Sequence, residues 1–294
     1  LVFILEMIYM AYPLVENCLY ELCYVNGKIY STIDSDISWV FNPTDSVTYY
    51  ETVRILNGKL LFVEDHLARL NASVKGEEAF DVNTEYICKE AVAFLDAIKE
   101  KSIDITNANL RIVLTKDNLI IHICEANIPS EEQKNSGIVT RILNWERVAP
   151  NIKVFRGDYK QKVAETFSMD TSFGTPYEVL LTNNSGKLYE GSKSNLFVIV
   201  GDTVYSETDD KILIGITRKR VLEALNNSGL MLEYKTFTLD EIKQNNAAVF
   251  VSSTPFDILP VYSIDDIVID SASNINLQKI SKAYDEAVSD YMNK

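Results

Sequence analysis

The sequence predicts an α+β chain in two domains, and three observations carry that reading. Two Asn-Gly pairs, in "YVNGKIY" and "RILNGKLLF", sit between alternating apolar residues, the strongest short-range hairpin signal. Long stretches with apolar residues at helical spacing follow, as in "NTEYICKEAVAFLDAIKEK", where Ile87, Ala91, Phe94 and Leu95 recur on one face. Strands and helices then mix without a regular βαβ alternation, which argues against a single parallel sheet.

The N-terminal domain, residues 1–126, starts as antiparallel sheet, continues through a helix at "EDHLARLNAS" and the longer helix above, and ends on the strand pair "ANLRIVLT" and "NLIIHICEA". The polar stretch "ANIPSEEQKNSG", with a proline and a closing glycine, reads as the linker, residues 127–137. In the larger C-terminal domain, residues 138–294, "GIVTRILNW", "YEVLLTN", "KLYEGSKSNLFVIV" and "AAVFVSS" read as strands, with "NNSG" as a turn. Helices are expected at "YKQKVAETFSM", "TRKRVLEALNN", the capping-box stretch "TLDEIKQ" and "NLQKISKAYDEAVSDYM".

A chain of 294 residues with 47% hydrophobic and 24% charged content, and no low-complexity tract, has enough apolar surface for a substantial core. Its 28 basic and 42 acidic side chains leave a net charge of −14 without a basic cluster, which disfavours nucleic acid. Cys18, Cys23, Cys88 and Cys124 lack paired C-x-x-C spacing and read as reduced thiols, far apart in a cytoplasmic protein; no metal site is expected. The apolar opening "LVFILEMIYMAYPLV" is interrupted by Glu6 and lacks a basic flank, so neither a membrane span nor export is expected. With Met7 and Met10 close behind Leu1, the segment Leu1–Tyr9 reads as an extension upstream of the true start. The N-x-S matches at Asn71, Asn183 and Asn226 then carry no glycan.

The residues able to do chemistry are scattered, and each has a plain structural reading beside the functional one. Lys153, in "ERVAPNIKVFRGDY", is either a surface lysine or an amine held out of water to attack a carbonyl. In "GITRKRVLEAL", Thr217 fits an N-cap, and Gly215 and Ile216 offer N–H groups at a helix start, a seat for phosphate or simply a capped helix. Ser253 and Thr254 end a strand before Pro255, as further phosphate donors or as turn caps. Arg69, in "FVEDHLARL", could grip a phosphate with its forked donors or pair with Glu64 or Asp65. Glu190, in "KLYEGSKSNLF", could pair with a protonated ring nitrogen or stand solvated at a strand end. His66 reads as a packed or capping side chain, and His122 as embedded in a strand.

Taken in order, "YETVRILNGKLLFVEDHLARLNAS", "YEVLLTNNSGKLYEGSKSNLFVI", "ILIGITR" and "FVSSTPFDILPV" resemble the fold type IV, or class IV, pyridoxal-phosphate enzymes. That family includes branched-chain and D-amino-acid aminotransferases and aminodeoxychorismate lyases, and the resemblance runs from about Tyr50 to Val261. It implies a smaller N-terminal α/β domain, a larger barrel-like mixed domain and a homodimer. It further implies pyridoxal 5'-phosphate, an internal aldimine at Lys153, Glu190 at the pyridine nitrogen, Arg69, Ile216, Thr217 and Thr254 at the phosphate, and Tyr159 at the phenolic oxygen with a one-residue shift. Lys160 and Lys162 are rivals of Lys153. The implied reaction is transamination between a small amino acid and a 2-keto acid. The alternatives are a lyase with the same cofactor and a noncatalytic binding protein of the same fold. Departures lie in "DSVTYY" before Glu51, in an expanded "DTSFGTP", and in Pro255 after Thr254.

Overall fold

The structure, a computed structural model, describes residues 12–77, 80–154 and 156–293; the Leu1–Tyr9 stretch read as an extension lies outside them. The N-terminal half runs β1 (Tyr12–Pro13), β2 (Leu22–Val25), β3 (Lys28–Ser31), β4 (Pro43–Thr44), β5 (Tyr49–Leu56), β6 (Lys59–Leu60), α1 (Val63–Glu77), α2 (Thr84–Glu100), β7 (Asn107–Leu114) and β8 (Leu119–Cys124). Both Asn-Gly pairs turn hairpins, with φ of 48° and 96° at Asn26 and Gly27 and 49° and 72° at Asn57 and Gly58, the left-handed pair that a two-residue hairpin requires.

Apart from β1 and β4, which pair with each other, these strands form one antiparallel sheet in the order β3-β2-β8-β7-β5-β6. One face is apolar. Val53, Ile55, Leu110, Ile112, Ile121 and Ile123 meet Leu67, Leu70 and Val74 of α1 and Ile87, Phe94, Leu95 and Ile98 of α2 in a continuous core. The helical spacing of α2 therefore exists to cover that face, and truncating fully buried Phe94 to alanine would cost about 3–5 kcal/mol. The opposite face carries Thr52, Arg111, His122 and Cys23 in a single cross-strand row. All four cysteines are unbridged. Cys18 and Cys23, read from sequence as far apart, nevertheless pack into one apolar cluster, because the turn at Leu19–Glu21 folds Cys18 back onto β2, where its thiol donates to the Leu22 carbonyl at 2.9 Å.

The stretch expected as a linker is partly helical. Ser130 and Gln133 cap α3 (Glu131–Ser136) reciprocally, a capping box that "PSEEQ" spells out. Gly137 follows at φ 96°, where an added Cβ would lie 2.8 Å from the Tyr262 nitrogen, so only glycine passes.

The C-terminal half continues with β9 (Ile138–Asn144), α4 (Gly157–Phe167), β10 (Glu178–Thr182), β11 (Lys187–Gly191), β12 (Asn195–Val200), β13 (Thr203–Ser206), α5 (Ile216–Ser228), β14 (Met231–Tyr234), β15 (Phe237–Thr238), α6 (Leu239–Gln244), β16 (Ala248–Ser253), β17 (Asp257–Ile264), β18 (Ile267–Val268) and α7 (Ile275–Met292). These strands make a ten-stranded sheet whose path β12-β16-β17-β9-β10-β11 returns to β12 through the pair Glu190–Asn195, closing six strands into a barrel. "KLYEGSKSNLFVIV" is thus two strands, β11 and β12, with a turn between, and Glu190 stands at the seam. Leu180, Leu188, Leu196, Val198, Val249, Val251, Leu259 and Val261 cluster as the barrel core. Phe197 and Phe250, stacked at 4.7 Å, bind α5 and α7 to the outside. The α+β, barrel-like expectation holds.

Candidate active site

A cavity of about 570 Å³ opens between the polar face of the N-terminal sheet and the barrel seam, and all seven residues singled out in the sequence line it: Arg69, Lys153, Tyr159, Glu190, Ile216, Thr217 and Thr254. Of the rival lysines, Lys160 also lines it, whereas Lys162 does not and pairs with Glu165 at 3.0 Å.

Lys153 stands in the loop ahead of α4, fixed by its backbone. Tyr50 N–H donates to its carbonyl and its own N–H donates to Ser73 Oγ, each at 3.4 Å, so β5 and α1 set the loop's position. The residue as a whole keeps some surface, but its amine end is densely enclosed, with Nζ 4.6 Å from the Tyr50 ring centroid. Burial lowers its pKa, the Arg69 and Arg111 cations push the same way, and Tyr50 and Glu51 oppose them.

Glu190 is buried at 1% exposure and is not the solvated strand end that its sequence allowed. Arg147 Nη1 donates to Oε1 at 3.2 Å and the Leu213 N–H to Oε2 at 3.3 Å. Burial raises its pKa against the pull of these two donors.

The seat at α5 differs from expectation in one respect. Gly215 is the N-cap, without a side-chain cap bond, and Thr217 lies one residue inside the helix after Ile216. The first amides of α5 therefore lack a capping oxygen of their own, the arrangement that favours an anion at a helix start. An added Cβ at Gly215 would overlap Asn195 Oδ1, which keeps this approach tight. Nearby, the buried hydroxyls of Ser194 and Ser252 have no hydrogen-bond partner among the described residues, and both line the cavity. Arg69 spends its donors within the protein: Nε and Nη2 on Glu51 at 2.7 and 2.6 Å, and Nη1 on the Ile214 carbonyl at 3.0 Å. Its partner is thus Glu51 on β5, not Glu64 or Asp65. His66 is fully buried against the same carboxylate, as a packed side chain.

Tyr159 on α4 donates its hydroxyl to the Ser192 carbonyl at 2.8 Å. Ser192 is held in turn by Glu178, which accepts its Oγ–H at 2.6 Å and the Val179 N–H at 2.8 Å.

A family model described as amino-transferase class IV matches residues 48–264. The chain belongs to that family. Among curated proteins, a D-alanine aminotransferase of Bacillus licheniformis is 29% identical over 246 residues, 76% of this chain and 81% of that one. Among solved structures, a putative branched-chain amino acid aminotransferase from Thermotoga maritima superposes with a TM-score of 0.75 at 20% identity, covering 91% of this chain and 96% of that one. A hypothetical aminotransferase from Mycobacterium tuberculosis, in its PLP-bound form, gives 0.73 at 14% identity over 92% and 99%. At these identities the solved structures speak for the fold alone.

This class IV aminotransferase has cavity residues that its sequence did not advertise. Arg147 sits next to "APN" with its partner 43 positions on, and no local pattern announces that pairing. Tyr50 and Arg111 face one another on adjacent strands, the guanidinium 4.9 Å from the ring centroid, and only the β5–β7 register brings them together. The phenol of Tyr50 is pulled below its usual pKa by Lys153, Arg111, Lys160 and Arg147, although burial acts in the opposite direction. Among the described residues, no helix is long and apolar enough to cross a membrane.

Proposed function

We propose that the chain transfers an amino group between a small amino acid and a 2-keto acid, with pyridoxal 5'-phosphate in the cavity and Lys153 as the amine that bonds to it. One observation carries the reading: an enclosed lysine amine, a buried carboxylate and an uncapped helix start open onto the same cavity.

The residues fit the cofactor. A phosphate monoester needs several donors and few carboxylates, and the α5 amides, Thr217, Thr254 and the unpartnered Ser194 and Ser252 hydroxyls supply donors at one end. Arg69 would reinforce that end chiefly by holding Ile214 ahead of Gly215. Glu190 would accept a hydrogen bond from the ring nitrogen while Arg147 and Leu213 keep it oriented, and Tyr159 would face the phenolic oxygen. Once bound, the group supplies an aldehyde for amine exchange and a ring that accepts electrons from the Cα–H bond.

The protein's own part is proton handling and water exclusion. Each unit by which burial lowers the Lys153 pKa makes about tenfold more free amine at neutral pH, worth about 1.4 kcal/mol. Lys153 Nζ, beside Tyr50, is placed to take and return the substrate α-proton. Arg111 and Lys160, both on the cavity wall, bias it toward carboxylate substrates. The unbridged cysteines accord with a reducing cytoplasm, and the family likeness supports a homodimer.

The test is borohydride trapping after addition of pyridoxal 5'-phosphate, followed by peptide mapping. Label at Lys153, loss of the yellow colour and of turnover in Lys153→Ala, and retention of the yellow colour in Lys160→Ala and Lys162→Ala support the reading. Label at either rival overturns the assignment. A donor panel with both enantiomers then finds the substrate; pyruvate released from aminodeoxychorismate without a keto acid requirement would replace transamination with the lyase reaction.

A further inference from the structure

Two segments meet at the donor-rich end of the cavity: the turn between β16 and β17, which carries Thr254, and the first residues of α5. They are distant in sequence, and the C-terminal helix α7 touches both.

In the turn, Ser253 and Asp257 are the last paired residues of β16 and β17, so Thr254, Pro255 and Phe256 span the space between them. The Phe256 N–H donates to the Ser253 carbonyl at 3.2 Å, and Asp257 takes φ 61°, the left-handed region that a side chain with a Cβ rarely adopts. Its carboxylate is what holds that conformation. Tyr284 of α7 donates its hydroxyl to Oδ1 at 2.7 Å, and Arg54 of β5 donates to Oδ2. Tyr284 is 1% exposed, so its ring cannot swing away without leaving the core. One side chain thereby ties the turn to the C-terminal helix and to the N-terminal sheet. None of Arg54, Asp257 and Tyr284 lines the cavity.

At the start of α5, Ile216 is buried in one cluster with Leu61 and Phe62 and with Val288, Tyr291 and Met292 of α7. The Phe62 and Tyr291 rings lie 4.7 Å apart between centroids, and the Tyr291 hydroxyl donates to Glu64 Oε2 at 2.7 Å. Tyr284, Val288 and Tyr291 are spaced i, i+4 and i+7, a single stripe along the helix. One end of that stripe meets the Thr254 turn and the other meets Ile216. Nearer its own start, α7 also packs Leu277 and Ile280 against Val221 and Leu225 of α5.

We propose that α7 is the mount of the phosphate seat: Tyr284, acting through Asp257, positions the Thr254 turn, while Val288, Tyr291 and Met292 position Ile216, so that donors from two distant segments keep the spacing a phosphate monoester requires. The proposal rests on reading this end of the cavity as the phosphate site. Its physical basis is that hydrogen bonds weaken steeply with misalignment, and that a turn which must be ordered on binding loses affinity to the cost of ordering it. Arg54, Asp257 and Tyr284 are positioning residues, because they act on the ligand only through the turn.

The experiment compares pyridoxal 5'-phosphate with pyridoxal, which lacks the phosphate, by fluorescence titration of the parent, Tyr284→Phe and Asp257→Asn. Tyr284→Phe keeps the ring and its packing and removes one hydrogen bond. It should bind pyridoxal 5'-phosphate about 10-fold more weakly and pyridoxal equally well, the loss expected for one bond to a charged partner. Asp257→Asn, which weakens both ties, should lose at least as much, again only for the phosphorylated compound. Inorganic phosphate gives an arm that does not depend on Lys153. It should slow amide exchange at residues 216–218 and 254 in the parent, with a midpoint about 10-fold higher in Tyr284→Phe. That result supports the proposal even if borohydride trapping places the reactive amine at another lysine, which would overturn the functional reading alone. Equal weakening of pyridoxal and its phosphate, unchanged affinity in both variants, or a phosphate midpoint indifferent to Tyr284→Phe would each overturn the proposal.

Discussion

The Glu51 carboxylate on β5 holds the Arg69 guanidinium on α1 through two bonds, at 2.7 and 2.6 Å, and takes His66 Nδ1 at 2.8 Å, with no exposure of its own. Arg69 passes that order on to Ile214, the residue before the N-cap of α5. Burial opposes ionisation of Glu51, but Arg69 and His66 together lower its pKa to about 2 from 4.5. The folded-state pKa is depressed, so the stabilisation is complete above the unfolded value and fades as pH falls through the folded one. The difference corresponds to about 3 kcal/mol. Glu51→Gln should lose roughly that amount at pH 7 in urea unfolding, and the gap to the parent should narrow steadily below pH 4.5. A gap independent of pH would refute the linkage.

The Arg147–Glu190 pair is expected to behave in the opposite sense. Burial already raises the Glu190 pKa, and removing Arg147 leaves a buried carboxylate without its cation. Arg147→Met should destabilise the protein by about 3 kcal/mol at pH 7. For a carboxylate with a raised folded pKa, the penalty is full above that pKa and vanishes below the unfolded one, so acidification should restore Arg147→Met toward the parent. Adding Glu190→Gln should recover much of the loss. A double variant no better than the single one would show that Arg147 acts through packing on Tyr159 instead.

Glu178 supports Tyr159 at one remove, through Ser192. Glu178→Ala should loosen the turn between β11 and β12 and free the Tyr159 hydroxyl, visible as a lower phenol pKa in ultraviolet titration, since burial now holds that phenol well above its ordinary value. Gly191→Ala attacks the same turn sterically. A Cβ there would overlap Ser194 Oγ and lie 3.2 Å from Glu178 Cδ, at a cost of about 1–3 kcal/mol. An unchanged Tyr159 titration in both variants would remove Glu178 from its positioning role.

How far these arrangements could be read in the sequence depended on whether their cause was local. The Asn-Gly hairpins and α2 are dictated by neighbouring residues, so pattern and structure agree on them. The motifs around Glu190, Gly215 and Thr254 picked out residues that the fold brings to one cavity, because each sits at the end of an element, where its chemistry is not needed for packing. The capping box at Ser130 and Gln133 was equally local, but a proline and a polar composition concealed a two-turn helix. Thr217 looked like an N-cap because the sequence cannot show that Gly215 already turns the chain. Glu51, Arg147 and Glu178 were illegible for another reason. Each owes its role to a partner fixed by sheet register or barrel closure, and in sequence each reads as an ordinary charge.

Lys153 gives the last prediction, because the property that suits it to chemistry is costly to the fold. Enclosure lowers its pKa, so the folded state binds less proton at this site than the unfolded chain does. The penalty is full below the folded-state pKa, shrinks as pH rises, and is gone above the ordinary lysine value of about 10.4. Lys153→Met, which keeps the length of the side chain without its charge, should therefore raise unfolding stability at neutral pH by on the order of 1 kcal/mol, and that gain should disappear in alkaline solution. Over the same range the parent should take up pyridoxal 5'-phosphate faster as pH rises, with a midpoint below 10.4, whereas Lys153→Met should form no borohydride-trappable adduct at any pH. A stability gain that persists unchanged at pH 11, or a midpoint at the ordinary lysine value, would mean that the amine is solvated in the folded protein.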